Sequence, residues 1–96
     1  MEFDWDDANL RHLRRHRVSR QEFEQVLLNG PLDLEYRSEG GEDRFKSLGM
    51  TDNGRILVAV WAIRGAHIRA VTAYPASAVL KRVYTDFPEG TNDAET

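Results

Sequence analysis

Two histidines and five arginines are crowded into ten consecutive residues near the start of this chain of 96 residues. The histidines are His12 and His16, and the arginines are Arg11, Arg14, Arg15, Arg17 and Arg20. Histidine titrates close to neutral pH, so it can donate or accept a proton in a reaction. Clustered arginines can bind phosphate even though the net charge of the chain is −3. A solvated helix face has the same composition and is the alternative interpretation of this segment.

A second set of cations lies on segments that are predicted to be strands. Arg44 and Lys46 are two residues apart and therefore share one face of a strand, and Arg69 lies on a segment that we expect to be an adjacent strand. Together these side chains could clamp a phosphate, with arginine binding it through two parallel hydrogen bonds. The alternative is a row of cross-strand ion pairs with nearby carboxylates, which are those of Glu35, Glu42 and Asp43.

Cysteine and histidine, the usual zinc ligands, are sparse in this sequence. The chain has no cysteine, which excludes disulfides and thiolate metal sites. His12 and His16 without a third placed ligand make an incomplete set for zinc. We therefore expect no metal site and no cofactor.

The acidic residues are concentrated at the end of the chain. From Asp86 onward there are four carboxylates and no lysine or arginine, and without these four the 13 basic residues face 12 acidic ones. An apolar share of 41% is ordinary for a globular protein. We therefore expect one domain over residues 1–87 and a disordered acidic tail over residues 88–96.

Hydropathy and the first residues do not indicate export or membrane insertion. The chain starts with acidic residues, unlike a secretory signal peptide. The longest apolar run, Ile56 to Ile63, is too short to cross a bilayer. We expect a cytoplasmic protein that does not act at a membrane.

The first helix is predicted from its cap and its apolar stripe. Asp4 or Asp6 can cap it, because a carboxylate accepts hydrogen bonds from the first free backbone amides. His12 and His16 are four residues apart, so they would share one face if the helix extends that far.

The second helix is predicted to begin with a capping box formed by Ser19 and Glu22. Val18 and Phe23 supply the hydrophobic staple that accompanies such a box. The sequence Asn29-Gly30-Pro31 is expected to end this helix, because glycine and proline stop helices.

From residue 32 onward the apolar period changes from that of a helix to that of a strand. Four strands are predicted, followed by a short helix, at residues 32–37, 44–50, 56–64, 67–74 and 76–84. Residues 38–43 are expected to form a loop, and residues 51–54 a hairpin turn. This order predicts an α+β fold, in which the two N-terminal helices and the short C-terminal helix pack on one side of an antiparallel sheet of about four strands. The opposite face of the sheet is expected to be partly open to a ligand or partner.

Several short motifs, in order along the chain, resemble those of the BrnT family. They are Phe3-Asp4-Trp5-Asp6, His16-Arg17-Val18-Ser19, Glu42-Asp43-Arg44-Phe45, Gly49 with Asp52-Asn53-Gly54-Arg55, and Arg69 with Thr72-Ala73. The second motif matches a His-Gly-Val-Ser type of junction between two helices in the family. The resemblance covers about residues 3 to 84.

The resemblance implies a RelE-like fold and the toxin of a type II toxin–antitoxin pair, which cleaves RNA without a metal through attack of the 2′-hydroxyl. It also implies neutralisation by a DNA-binding antitoxin. The expected assembly is either a homodimer of this chain or a toxin–antitoxin hetero-oligomer. Three departures from the family pattern stand out. Tyr74 replaces the usual arginine, His12 replaces the common asparagine, and the last helix carries fewer cations.

Metal-free RNA cleavage needs a base for the 2′-hydroxyl, an acid for the leaving 5′-oxygen and cations for the phosphorane. The candidate catalytic residues are His12, His16, Glu42, Arg44 and Arg69. Glu42 could be an alternative base or could hold an arginine in place. The candidates for substrate binding are Arg15, Lys46, Thr72 and Tyr74. The alternative, favoured by the departures, is a BrnT-like binding module that has lost catalysis and engages an antitoxin or a regulator.

Overall fold

The structure is a computed structural model that describes residues 2–86. Its elements in chain order are β1 (Glu2–Asp4), α1 (Asp7–Arg14), α2 (Arg20–Leu28), β2 (Leu32–Glu39), β3 (Glu42–Met50), β4 (Ile56–Arg64), β5 (His67–Pro75) and α3 (Ala78–Asp86). The strands form one sheet in the order β1-β5-β4-β3-β2, which confirms the predicted α+β class. None of the helices within the described residues is long and apolar enough to span a membrane. The tail predicted at residues 88–96 lies outside the described residues.

The strand β1 has no counterpart in the sequence prediction. It pairs in parallel with the start of β5, where Glu2 lies opposite His67 and Asp4 lies opposite Arg69. Three residues are too few to show an alternating pattern, so this strand leaves no periodic signal. The sheet is therefore mixed and five-stranded, and the prediction of about four antiparallel strands is wrong in this respect.

The three helices lie on both faces of the sheet. Leu57 and Ala59 of β4 pack with apolar residues of α1 and α2. Val58, which lies between them, packs with Leu80 and Val83 of α3. Because successive residues of a strand point to opposite faces, α3 covers the face opposite to α1 and α2. The prediction that all helices share one side is therefore wrong, since apolar periodicity shows that a helix is amphipathic but not which face it covers.

Two backbone hydrogen bonds close the C-terminal end of α1. The amide of Arg17 donates to the carbonyl of Arg14 (3.0 Å), and the amide of Val18 donates to the carbonyl of Leu13 (3.1 Å). Together they form a Schellman motif, which needs one residue in the left-handed region. Arg17 supplies it with a φ of 56°. His16 therefore lies beyond the helix, and it does not share a helical face with the other histidine.

A buried asparagine attaches α1 to the sheet. Asn9 is 7% exposed, and its Nδ2 donates a hydrogen bond of 2.7 Å to the carbonyl of Ala70 in β5. The pairing of β1 with β5 reaches only to Arg69, so this contact continues the edge just beyond the last paired residue. Asp6 is the cap of α1 and accepts a hydrogen bond from the amide of Asn9 (2.8 Å). One residue thus links the start of the helix to the strand it packs on.

The capping box predicted for α2 is present, and Arg55 extends it. Ser19 Oγ accepts from the amide of Glu22, and a carboxylate oxygen of Glu22 accepts from the amide of Ser19, each over 3.0 Å. Arg55 Nη1 donates to both carboxylate oxygens of Glu22 (2.9 and 3.0 Å) and to the carbonyl of Arg17 (2.8 Å). Burial raises the pKa of Glu22, but the hydrogen bonds from Ser19 and Arg55 together hold the pKa below its ordinary value. Arg55 therefore joins the start of β4 to the junction of α1 and α2.

A turn of two glycines joins β2 to β3, in place of the loop predicted at residues 38–43. Gly40 and Gly41 have φ values of 58° and 79°. These are the left-handed values of a type I′ turn, which matches the twist of paired strands. Both strands are therefore longer than predicted. The turn also sets the register of the hairpin, in which Arg37 lies opposite Arg44.

Replacing Arg17 with glycine should stabilise the protein. An L-residue in the left-handed region costs about 1 to 2 kcal/mol, a strain that glycine does not have. We expect Arg17→Gly to raise the free energy of unfolding by about 1 kcal/mol, measured by urea denaturation followed by circular dichroism. The matched control is Arg11→Gly inside α1, where glycine should lower the same quantity by about 1 kcal/mol. Destabilisation by both variants would contradict the assignment of strain to Arg17.

Gly49 of β3 should not tolerate a larger side chain. A Cβ atom at this position would lie 2.8 Å from the carbonyl oxygen of Val26 and 3.2 Å from Cβ of Pro31. Because the carbonyl belongs to the backbone of α2, the helix itself has to move. We expect Gly49→Ala to lower the free energy of unfolding by about 1 to 3 kcal/mol in the same denaturation measurement. A change of less than about 0.5 kcal/mol would show that α2 can shift at little cost.

Candidate active site

The sheet face that carries α3 is covered by this helix at one end, over the row formed by Leu48, Val58 and Tyr74. Two further rows cross the strands beyond the helix, one of Glu35, Lys46, Val60 and Thr72 and one of Arg37, Arg44, Ala62 and Arg69. A cavity of about 350 Å³ opens over these strands, a volume within the range of ligand pockets. It is lined by Glu35, Arg37, Arg44, Phe45, Lys46, Val60, Val71, Thr72 and Tyr74.

Glu35 is the carboxylate that two of the cavity cations share. Its Oε1 lies 3.3 Å from Lys46 Nζ, and its Oε2 accepts a hydrogen bond of 2.7 Å from Arg37 Nη2. The hydrogen bond with Lys46, followed by that with Arg37, lowers the pKa of Glu35 below its ordinary value. The carboxylate is therefore held in its charged form beside two cations.

Glu42 bridges two arginines that lie on different strands. Its Oε2 accepts from Arg69 Nη2 (2.7 Å), and its Oε1 accepts from Arg44 Nε (3.2 Å). Arg44 and Arg69 both lie opposite the small residue Ala62 of β4, so β3 and β5 are not adjacent strands as predicted. The hydrogen bond from Arg69 lowers the pKa of Glu42. Desolvation by burial acts in the opposite direction, and the hydrogen bond from Arg44 lowers this pKa further. A carboxylate whose pKa is lowered is a weaker base, so this geometry favours the role of holding arginines in place.

The two rows concentrate positive charge on one part of the sheet. With Glu42 they carry four cations and two carboxylates. Arg37 lies directly opposite Arg44 in the register of β2 and β3, and like charges in this position are destabilising. Arg69 is the most buried of these cations, with a side chain 19% exposed, and its Nε is buried without a hydrogen-bond partner among the described residues. This arrangement costs stability and is suited to binding an anion.

A histidine contacts one side of the cavity. The ring of His16, which follows α1, lies against the ring of Tyr74 with centroids 5.9 Å apart and an interplanar angle of 61°. Tyr74 also lines the cavity, together with Lys46 and Thr72. The structure therefore places an imidazole in contact with Tyr74, which lines the cavity together with the cations.

The structure brings together most of the residues singled out from the sequence, namely His16, Glu42, Arg44, Lys46, Arg69, Thr72 and Tyr74. The other two, His12 in α1 and Arg15 at its C-cap, are exposed. No hydrogen bond, ion pair or ring contact joins either side chain to the cavity residues within the described part of the chain. The predicted cross-strand ion pairs are present for Glu35 and Glu42, whereas Asp43 instead accepts a hydrogen bond of 2.8 Å from the hydroxyl of Tyr36. Within residues 2–86, no group of three or more His, Asp or Glu side chains could hold a metal ion.

Sequence reasoning did not assign Arg37 to the site, and it treated Glu35 only as a partner of other cations. Both line the cavity because the hairpin register brings β2 beside β3. The signal was present in the dipeptide Gly40-Gly41, which favours a two-residue turn. Counting outward from such a turn places Arg37 opposite Arg44.

Comparison with known proteins identifies the family of this chain. A family model described as the ribonuclease toxin BrnT of type II toxin–antitoxin systems matches residues 5–79. The match includes the helix junction and every residue that lines the cavity. A comparison with curated proteins gives no match. The chain therefore belongs to the BrnT family of ribonuclease toxins, whose type II systems pair each toxin with an antitoxin.

Proposed function

We propose that this protein is a metal-independent endoribonuclease toxin with a RelE-like fold, and that the cavity over β3, β4 and β5 is its active site. It acts on RNA in the cytoplasm, and a DNA-binding antitoxin neutralises it in a hetero-oligomer. The single observation that carries the proposal is the contact of His16 with Tyr74 at a cavity that also contains Arg44 and Lys46. A proton-transfer group and cations are the parts that phosphodiester cleavage needs.

The proposed reaction is attack of a ribose 2′-hydroxyl on the adjacent phosphorus, which breaks the bond to the 5′-oxygen and leaves a 2′,3′-cyclic phosphate. His16 removes the proton of the 2′-hydroxyl, and its protonated ring can return a proton to the departing 5′-oxygen. Arg44 and Lys46 stabilise the negative charge that develops on the phosphorane. Tyr74 and Thr72 donate hydrogen bonds to phosphate oxygens, and the Tyr74 ring can also stack on a base.

Arg44 has donors available for this role. Its Nε is bound to Glu42, and its two Nη groups have no hydrogen-bond partner among the described residues. A guanidinium has five N–H donors in a fixed fork, so Nη groups held in this way are pre-oriented for an oxyanion. Glu42 and Arg69 act as positioning residues for Arg44, and Glu42 is not the base in this scheme.

A second candidate function is a binding module without catalysis. It is favoured by the ion pairs of Glu35 and Glu42, which already satisfy part of the positive charge on this face. Tyr74 in place of the arginine of the family pattern points the same way, because loss of a cation weakens charge stabilisation. In this function the open face binds the antitoxin or another regulator.

The two histidines provide the sharpest test of the proposed site. Purified protein is incubated with a synthetic RNA in the presence of EDTA, and the products are examined for a 2′,3′-cyclic phosphate. We expect His16→Asn to reduce the rate by about a hundredfold or more, and Lys46→Gln to have an effect of similar size. His12→Asn is the matched control, since His12, unlike His16, contacts no cavity residue within the described part of the chain and should retain the wild-type rate. Thermal melting checks that each variant is folded.

Three outcomes would contradict parts of this proposal. Loss of activity in His12→Asn with full activity in His16→Asn would move the active site away from the cavity. Loss of cleavage in EDTA with rescue by a divalent cation would refute a metal-independent mechanism. Absence of cleavage in the wild type and in Tyr74→Arg, which restores the arginine of the family pattern, would leave the binding module as the function.

A further inference from the structure

Three arginines form an exposed ridge at the C-terminal end of α1. Arg11 and Arg14 belong to the last turns of the helix, and Arg15 is its C-cap residue. Residues three and four apart on a helix are neighbours, so Arg11 lies beside both of the others. Leu13 faces the core and is 1% exposed, which directs Arg11 and Arg15 away from the protein. We refer to Arg11, Arg14 and Arg15 as the basic ridge.

Asp7 lies one helical turn before Arg11, but within the described residues the basic ridge forms no ion pair. Ion pairs join Arg20, Arg55 and Arg69 to carboxylates, whereas no carboxylate of the described residues lies within 4.0 Å of a ridge guanidinium. Like charges three and four residues apart on a helix repel one another. The negative end of the helix dipole partly offsets this repulsion, but it does not account for three arginines on one short helix. An uncompensated positive surface of this kind is suited to phosphate.

The basic ridge and the candidate active site lie on opposite faces of the sheet, and His16 links them. His16 follows Arg15 directly, and its ring contacts Tyr74 of the cavity. Arg11 and Arg15 are separated along the helix axis by about 6 Å at 1.5 Å per residue. The path from the cations of the cavity to the ridge therefore leads past Tyr74 and His16, from one face of the sheet to the other.

We propose that the basic ridge binds the phosphates of single-stranded RNA next to the scissile phosphate, and so guides the strand into the cavity. This inference rests on the proposed ribonuclease function. An unpaired strand is the form of RNA that can bring one phosphate into a cavity of about 350 Å³. The exposed side chains of the ridge are charged, with no aromatic or large apolar anchor of the kind that dominates protein interfaces. RNA backbone is therefore a better fit to the ridge than a protein partner.

Binding to RNA that cannot be cleaved tests the inference independently of catalysis. A fluorescent 2′-O-methyl RNA of roughly 12 nucleotides is long enough to reach beyond the cavity, and fluorescence anisotropy measures its affinity at several salt concentrations. For single strands, log K falls with log salt, and each lost phosphate contact makes this negative slope shallower by about 0.7. At 0.1 M salt the loss corresponds to about a fivefold weaker affinity. We expect this change for Arg11→Gln and for Arg15→Gln, and about 25-fold for the double variant. Arg64→Gln removes one exposed charge at the end of β4 and should leave the slope unchanged.

Cleavage assays then separate this inference from the proposed function. The double variant should raise KM for the long RNA, while its kcat and its cleavage of a dinucleotide, which has one phosphate, should equal those of the wild type. Salt slopes equal to that of Arg64→Gln, or an equal loss on the dinucleotide, would overturn the role of the ridge. If the wild type binds RNA through the ridge but cleaves neither substrate, the inference stands and the ribonuclease proposal fails. If both substrates are cleaved and the ridge variants match the wild type, the ribonuclease proposal stands and the inference fails.

Discussion

The position of the candidate site depends on the guanidinium of Arg55 more than on any other contact. Arg55 binds the carboxylate of Glu22 and the carbonyl of Arg17 at once, so it ties the sheet to the junction of α1 and α2. Its loss leaves a partly buried carboxylate without a cation, which is far more costly than the loss of an exposed pair. His16 directly precedes Arg17, and the same clamp therefore holds His16 against Tyr74. An ion pair outside the cavity thus helps to fix the backbone next to His16.

The charged residues in and around the cavity lower the stability of the fold. Arg37 faces Arg44 across a strand pair, and among the described residues Arg69 Nε is buried without a hydrogen-bond partner. Glu42 offsets part of this positive charge. The side chain of Ala62 is small, so the Glu42 carboxylate can pass over it and bridge Arg44 of β3 and Arg69 of β5. Sequences generally satisfy local rules of pairing and polarity, and the places where they break them tend to be functional sites. The excess of cations over carboxylates on this face is the physical basis for assigning an anionic substrate to it.

Local signals in the sequence were sufficient where the structure is local. The capping box of Ser19 and the alternation that places Arg44 and Lys46 on one face were both predicted correctly. The pairing of β1 with β5 was not predicted, because three residues carry no period and their partner lies near the other end of the chain. The face covered by α3 could not be predicted either, since amphipathic periodicity is the same on both sides of a sheet. The distance between Arg44 and Arg69 depends on strand order, which periodicity does not encode.

The end of α1 shows how one backbone conformation decides the chemistry. The spacing of His12 and His16 suggests an acid–base pair on one helical face, but α1 ends at Arg14, between the two, and the left-handed residue Arg17 closes this end. One imidazole stays on the exposed helix, and the other reaches Tyr74. Since Glu42 is engaged by two arginines and its pKa is lowered, the cavity offers no second strong base. The reaction that we propose therefore relies on one histidine for proton transfer and on the surrounding cations to stabilise the developing charge.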